Sequence, residues 1–221
     1  MNKDFWGPQI WFSIHYAAAG LKPENIQSFR NFIYSLPKLL PCKICKTHLS
    51  DNLKNYPVYN MESNLLYWSW MLHNVVNKAL KKYTPRFNDV ESYYLTGVKN
   101  PKIWGPPMWR MIHSIAAAYQ PSNENAEAFK QFIYSLPGLI PCLNCQSMLL
   151  YMLQNVIPLR EEYLTDNKKL FLWSYNLHNT VNRKLGVISP NYERELRVFI
   201  LMKNVKRVRE ILFVQVRVKS K

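Results

Sequence analysis

A repeat written into the chain constrains its fold more than any other feature. Residues 6–15 read W-G-P-x-x-W-x-x-I-H, and so do residues 104–113, each followed by an alanine run. Residues 29–45 and 129–145 share F-x-x-F-I-Y-S-L-P-x-L-x-P-C-x-x-C, and residues 68–80 and 173–185 share W-S-x-x-L-H-N-x-V-N-x-x-L. The three blocks recur in one order at nearly one spacing. A single module is therefore duplicated, with the joint near residues 96–103, and the fold must be a unit that stands beside its own copy.

Proline and glycine divide each module into helices. Pro8 is expected to open the first and Gly20 to close it. Pro23 and Glu24 open the second, which carries Phe29, Phe32 and Ile33 on one apolar face, and Pro37 ends it. Pro41 opens the third. The fourth runs over residues 63–82 until Pro85 stops it, and residues 88–95 form a short fifth. Pro121, Pro137, Pro141 and Pro158 punctuate the second copy in the same way. Short connections between such helices predict an all-α protein of two tandem four-helix bundles, each with a short fifth helix. The first module is placed at residues 1–97 and the second at 98–188. Past Ser189 the repeat fades into a basic extension, residues 189–221, in which residues 192–210 suit a helix and 212–219 alternate as a strand would.

All four cysteines lie in two P-C-x-x-C motifs, Cys42 with Cys45 and Cys142 with Cys145. The i, i+3 spacing brings two sulfurs together on a helix, within reach of disulfide geometry. A helix start at each proline lowers a thiol's pKa and favours the thiolate. Small buried hydrophobes are the bland alternative. Two matched pairs with no other cysteine point instead to a redox dithiol present twice.

A second constellation is polar. Trp70, His73, Asn74, Asn77 and Lys81 form one helical stripe, and His178, Asn179 and Asn182 repeat it. Trp11 and His15 share a face, as do Trp109 and His113. One such histidine alone would read as a satisfied core residue. Two aromatic–histidine pairs with two His-Asn-x-x-Asn stripes need polar partners, and a flat ligand with hydrogen-bonding edges would supply them.

These residues together resemble the Erv/ALR family of FAD-linked sulfhydryl oxidases, over residues 5–95 and again 103–185. The W-G-P-x-x-W opening, and the continuation of Cys42 and Cys45 to His48, resemble the versions carried by large DNA viruses. The resemblance implies four-helix bundles that pair by two-fold symmetry, here as a pseudo-dimer within one chain. It implies oxidation of dithiol proteins, FAD as cofactor and O2 as acceptor, giving H2O2. The flavin-proximal cysteine would fall on Cys45 and Cys145, and the outer one on Cys42 and Cys142. FAD contacts would fall on Trp6, Trp11, His15, His73, Asn74, Asn77 and Tyr94, with Lys38, Lys81 and Lys82 near the phosphates. In the second copy they would fall on Trp109, His113, His178, Asn179 and Asn182.

The sequence departs from the family in places. Gly7-Pro8 replaces the common Gly-Arg. No shuttle cysteine is present, so the substrate reaches Cys42 or Cys142 directly or through a separate thioredoxin-like protein. The second copy has Gly138 for Lys38, Met148 for His48 and Val187 for Lys82, and no evident aromatic like Tyr94. It stands open as active, weakened or merely structural.

Composition bounds the rest. Hydrophobic residues make up 48% of the 221, enough for a proper core. No apolar run reaches the length of a membrane span, and the first residues lack an apolar signal region. C-x-x-C cysteines without an export signal suit the catalytic role that disulfides have in reducing compartments, and a viral chain would sit in host cytoplasm or virion. The net charge is +15, with nine Lys or Arg against three Glu in residues 191–221. That invites an anionic partner, or is a solvated basic face. Two further readings remain: a zinc shared by the C-x-x-C pairs, with no metal expected under the oxidase reading, and a non-catalytic anion-binding scaffold.

Overall fold

A computed structural model describes residues 1–204 of the chain. The first module holds α1 (Lys3–Gly20), α2 (Ile26–Leu39), α3 (Lys43–Asn55), α4 (Leu65–Ala79) and α5 (Phe87–Gly97). The second holds α6 (Pro101–Ala118), α7 (Asn123–Leu139), α8 (Leu143–Tyr151), α9 (Asn167–Lys184) and α10 (Tyr192–Asn204). No strand occurs among the described residues. The architecture is thus two tandem all-helical modules. The residues expected to alternate as a strand, 212–219, lie outside the described residues.

Several boundaries differ from expectation. Pro8 lies inside α1, which starts five residues earlier because Asn2 caps it, its Oδ1 accepting the Asp4 N–H at 2.8 Å. A proline in that position forfeits one helical hydrogen bond. Burying Trp6 offsets the loss, since its indole N–H donates to Met1 O at 3.3 Å. Trp104 does the same with Val98 O at 3.0 Å, and α6 likewise runs through Pro106 and Pro107. Pro37 and Pro137 also sit inside their helices, which continue far enough to bury Leu39 and Leu139.

Helix α4 is shorter than expected at both ends. Asn64 caps its start by accepting the Tyr67 N–H at 2.9 Å. It ends in a Schellman turn, with Lys81 at φ 53° and the Lys82 N–H on Asn77 O at 2.8 Å. Helix α9 ends alike, with Gly186 at φ 66° and the Val187 N–H on Asn182 O at 2.9 Å.

The repeat does not stop at Ser189. Tyr192–Asn204 forms α10, which stands to α6 and α9 as α5 stands to α1 and α4. Tyr192 meets Tyr175 at 5.2 Å between ring centroids, as Phe87 meets Trp70 at 5.5 Å.

The modules pack as a pseudo-dimer through α2 against α7 and α1 against α6. Phe32 and Phe132, both fully buried, stack at 5.9 Å across the joint. Gly138 lets the helices close: a Cβ there would lie 2.5 Å from Ser28 Oγ. At the pseudo-symmetric position stands Lys38, whose ammonium pairs with Glu124 of the second module. Phe29, Phe32, Ile33, Leu36 and Leu39 bury the apolar face of α2, and burying each such side chain stabilises by roughly 1.5–3 kcal/mol.

Candidate disulfide and cofactor sites

Cys42 is the N-cap of α3 and Cys142 the N-cap of α8. Each holds extended backbone angles, and each Sγ accepts an N–H of the first helical turn: Cys45 N to Cys42 Sγ at 3.2 Å, Cys145 N to Cys142 Sγ at 3.3 Å. A cysteine in that place receives the helix's orphan donors and its positive end, the conditions that favour a thiolate. The sulfurs are joined within each motif, with Cα atoms 5.2 Å apart in both disulfides. They are not gathered across the modules, as one shared zinc would need. Among the described residues no cluster of three His, Cys, Asp or Glu side chains could hold a metal.

The disulfides are half-buried, while the residues between their cysteines reach solvent, Ile44 at 67% and Leu143 at 59% exposure. Surroundings differ. The Lys46 ammonium donates to Lys38 O at the elbow between α2 and α3, and burial, then Lys38, lowers its pKa. In the second module the neutral Gln146 amide donates to Ile140 O at 2.7 Å. His48 is exposed and Met148 half-buried.

The histidines form a directed relay. Ser69 donates its one hydroxyl hydrogen to Leu66 O at 2.8 Å, so it can only accept from His15 Nδ1, 2.8 Å away. Burial, then His73, pushes the His15 pKa down to about 3, so the ring is neutral at pH 7. With its hydrogen on Nδ1, His15 offers Nε2 as an acceptor, and His73 Nδ1 must donate to it at 2.9 Å. Burial, then Lys82, pushes His73 down to about 4. His73 Nε2 is left with a lone pair. The second module repeats the relay through Ser174, His113 and His178, at 2.9 and 3.0 Å. There His113 is held at about 3 and His178 at about 4, both chiefly by burial.

Aromatic rings close the site. Trp11 lies flat on His73, centroids 4.1 Å apart and planes 4° apart, and Trp109 lies on His178 at 4.2 Å. Tyr94 packs on His15 at 4.9 Å, and burial raises its phenol pKa. Phe199 takes the same place on His113 at 5.8 Å.

The structure thus brings together Trp11, His15, His73 and Tyr94, and in the copy Trp109, His113 and His178. Asn74 and Asn77 are buried beside each other, Asn77 Nδ2 reaching Asn74 Oδ1 at 3.4 Å. Asn182 is buried and bonds Ser189 Oγ at 3.0 Å, while Asn179 is half-buried. Lys81 and Lys82 are exposed. Trp6 is engaged with Met1, and Lys38 with Glu124.

The sequence reading missed Ser69, Ser174 and Phe199. The serines stood in the repeated W-S-x-x-L-H block. Phe199 follows His178 by 21 residues, as Tyr94 follows His73, so alignment through the late block would have found it.

The Erv1 / Alr family profile matches residues 8–94 and again residues 106–198, the second match reaching into α10. A protein of Invertebrate iridescent virus 3 that carries the name FAD-linked sulfhydryl oxidase is 33% identical over 89 residues, covering 39% of this chain and 59% of that protein. The FAD-linked sulfhydryl oxidase of an African swine fever virus isolate (Tick/Malawi/Lil 20-1/1983) is 32% identical over 104 residues, covering 43% of this chain and 84% of that protein. One from Oryza sativa subsp. japonica is 30% identical over 87 residues, covering 37% and 45%. No solved structure gives a significant match. Its module matched twice, the chain belongs to the Erv1/Alr family.

Proposed function

We propose that the protein is an FAD-dependent thiol oxidase that forms disulfides in substrate proteins. One observation carries the reading: each module holds both a disulfide that caps a helix and a neutral histidine relay under a tryptophan. The relatives' names support it.

The residues fit FAD. Trp11 and His73 offer a flat aromatic face, and His73 Nε2 a lone pair. The long contact of 3.4 Å leaves the buried Asn74 and Asn77 amides with hydrogen-bonding capacity for a ligand. Lys81 and Lys82 supply cations for a pyrophosphate. Trp109, His113, His178, Asn179 and Asn182 would serve the second copy. The chemistry FAD supplies when bound is acceptance of an electron pair from a dithiol and its delivery to O2, giving H2O2.

The protein's share is thiol chemistry. A substrate thiolate attacks Cys42 Sγ, the Cys42–Cys45 bond breaks, and Cys45 departs as a thiolate. The substrate's second thiol then attacks the mixed disulfide and releases Cys42. The Cys45 N–H and the α3 N-terminus stabilise that leaving thiolate. The same steps are open to Cys142 and Cys145.

The substrate is a dithiol protein that meets Cys42 directly, or a thioredoxin-like protein that carries electrons to it. We place residues through 204 in the second module, supported by the position of its fifth helix, and give the remaining basic segment an anionic partner that salt-dependent binding would reveal. No described helix is long and apolar enough to cross a membrane. Host cytoplasm or the virion is the place this reading gives a viral chain, and in a reducing cytoplasm such disulfides are catalytic.

The test is the absorbance spectrum of the purified full chain with released flavin counted, followed by thiol consumption and peroxide formation with a dithiol. Bound flavin with one peroxide per dithiol is expected. A chain that takes up no flavin, even after incubation with FAD, overturns the reading.

A further inference from the structure

The two histidine relays and the helix ends that follow them repeat the same hydrogen bonds, so differences at matched positions there isolate side-chain chemistry. They fall together at the end of the stripe. Both α4 and α9 terminate in a left-handed residue, Lys81 at φ 53° and Gly186 at φ 66°. Glycine takes that conformation freely and lysine does not. Local geometry therefore does not explain Lys81. The following residue folds back, its N–H on Asn77 O or Asn182 O. In the first module that residue is Lys82, close enough for its charge to oppose protonation of His73. In the second it is Val187, and burial alone acts on His178.

The amides differ in the same direction. Among the described residues the Asn77 amide makes just the long contact to Asn74, whereas Asn182 already donates to Ser189 Oγ at 3.0 Å. Tyr94 carries a hydroxyl that Phe199 lacks. The second module keeps Arg183 and Lys184 in the last turn of α9, where the first has Lys78 and Ala79. Arg183 is spent on Thr180 Oγ1 at 3.1 Å. Neither lies past the turn, where Lys82 stands.

We propose that the two modules are unequal cofactor sites: the first binds the anionic dinucleotide tightly, and the second, its polar edge self-satisfied and its fold-back cation replaced by valine, binds it weakly. The inference rests on the flavin reading and assigns its tight site to Trp11, His73, Asn77 and the strained Lys81–Lys82 corner. A pyrophosphate carries two negative charges, so losing the cations at its rim weakens binding by about tenfold or more and lowers its salt sensitivity.

The test is a titration of the flavin-depleted full chain with FAD, followed by flavin fluorescence at low and high salt. Two phases are expected, one equivalent tight and salt-sensitive, the second weaker by about tenfold or more. The surface double variant Lys81→Gly/Lys82→Val, checked for native helicity, should move only the tight phase. Val187→Lys should strengthen only the weak one, and Trp109→Ala should leave the tight phase in place. Two equal phases, or a tight phase unmoved by the double variant, overturn the inequality and leave the flavin reading standing. No binding under any condition overturns both.

Discussion

At the scale of single residues the site depends on where hydrogens sit. Ser69 turns His15, and through it His73, into fixed tautomers. Ser69→Ala leaves the buried His15 Nδ1–H without an acceptor, a loss of about 1–3 kcal/mol. Denaturant unfolding should show that loss, nitrogen-detected NMR should show mixed tautomers at both rings, and Ser69→Thr should restore both. All four relay histidines have pKa values lowered to about 3 or 4. In the unfolded chain they take up protons below about 6.5. The unfolded state therefore binds more protons between pH 6.5 and 4, and stability falls as pH falls through that window. Unfolding midpoints that stay level from pH 7 to pH 4 would contradict the neutral relay. At the disulfide, Cys45→Ser should abolish the first module's turnover while its bound flavin is retained. Oxidase activity surviving in that variant, with Cys142 and Cys145 also removed, would refute the role given to Cys45.

At the scale of elements, the fifth helices decide how each site is closed. Helix α10 brings Phe199 onto His113, Phe171 and Phe5, the last from the other module. Phe199 is 2% exposed. Phe199→Ala should therefore destabilise the chain by about 3–5 kcal/mol, the cost of a cavity in a packed core. A change under about 0.5 kcal/mol, the usual surface value, would mean that this segment is peripheral. The sequence reading expected a basic helix over residues 192–210 but not its place as the second module's fifth helix, because its first turns are rich in charge, with Glu193, Arg194, Glu195 and Arg197. Only the partner faces of α6 and α9 mark which of its apolar positions is buried. Prolines misled for a related reason. Pro8 and Pro37 are breakers by local propensity, yet burial of Trp6 and Leu39 outweighs one lost hydrogen bond each.

At the scale of the whole molecule, α2 and α7 use up on each other the faces by which the modules pair. Sedimentation should accordingly give the single-chain mass over a wide concentration range, and a stable dimer would contradict the internal pairing. The interface is also where the copies have diverged. Lys38 became a cross-module partner of Glu124, while its counterpart Gly138 admits Ser28. Sequence alone could align Lys38 with a phosphate contact but could not see Glu124, 86 residues away, arriving beside it.

By itself the sequence determined the duplicated helical module, the paired cysteines at helix starts and the aromatic–histidine stripe, because periodicity, capping and spacing are local properties of a chain. Only the tertiary structure decided which nitrogen of each histidine carries its hydrogen, which aromatic covers each pair, and which lysines remain free for a ligand. Those outcomes depend on atoms brought into contact from distant helices, and on the dehydration that contact imposes.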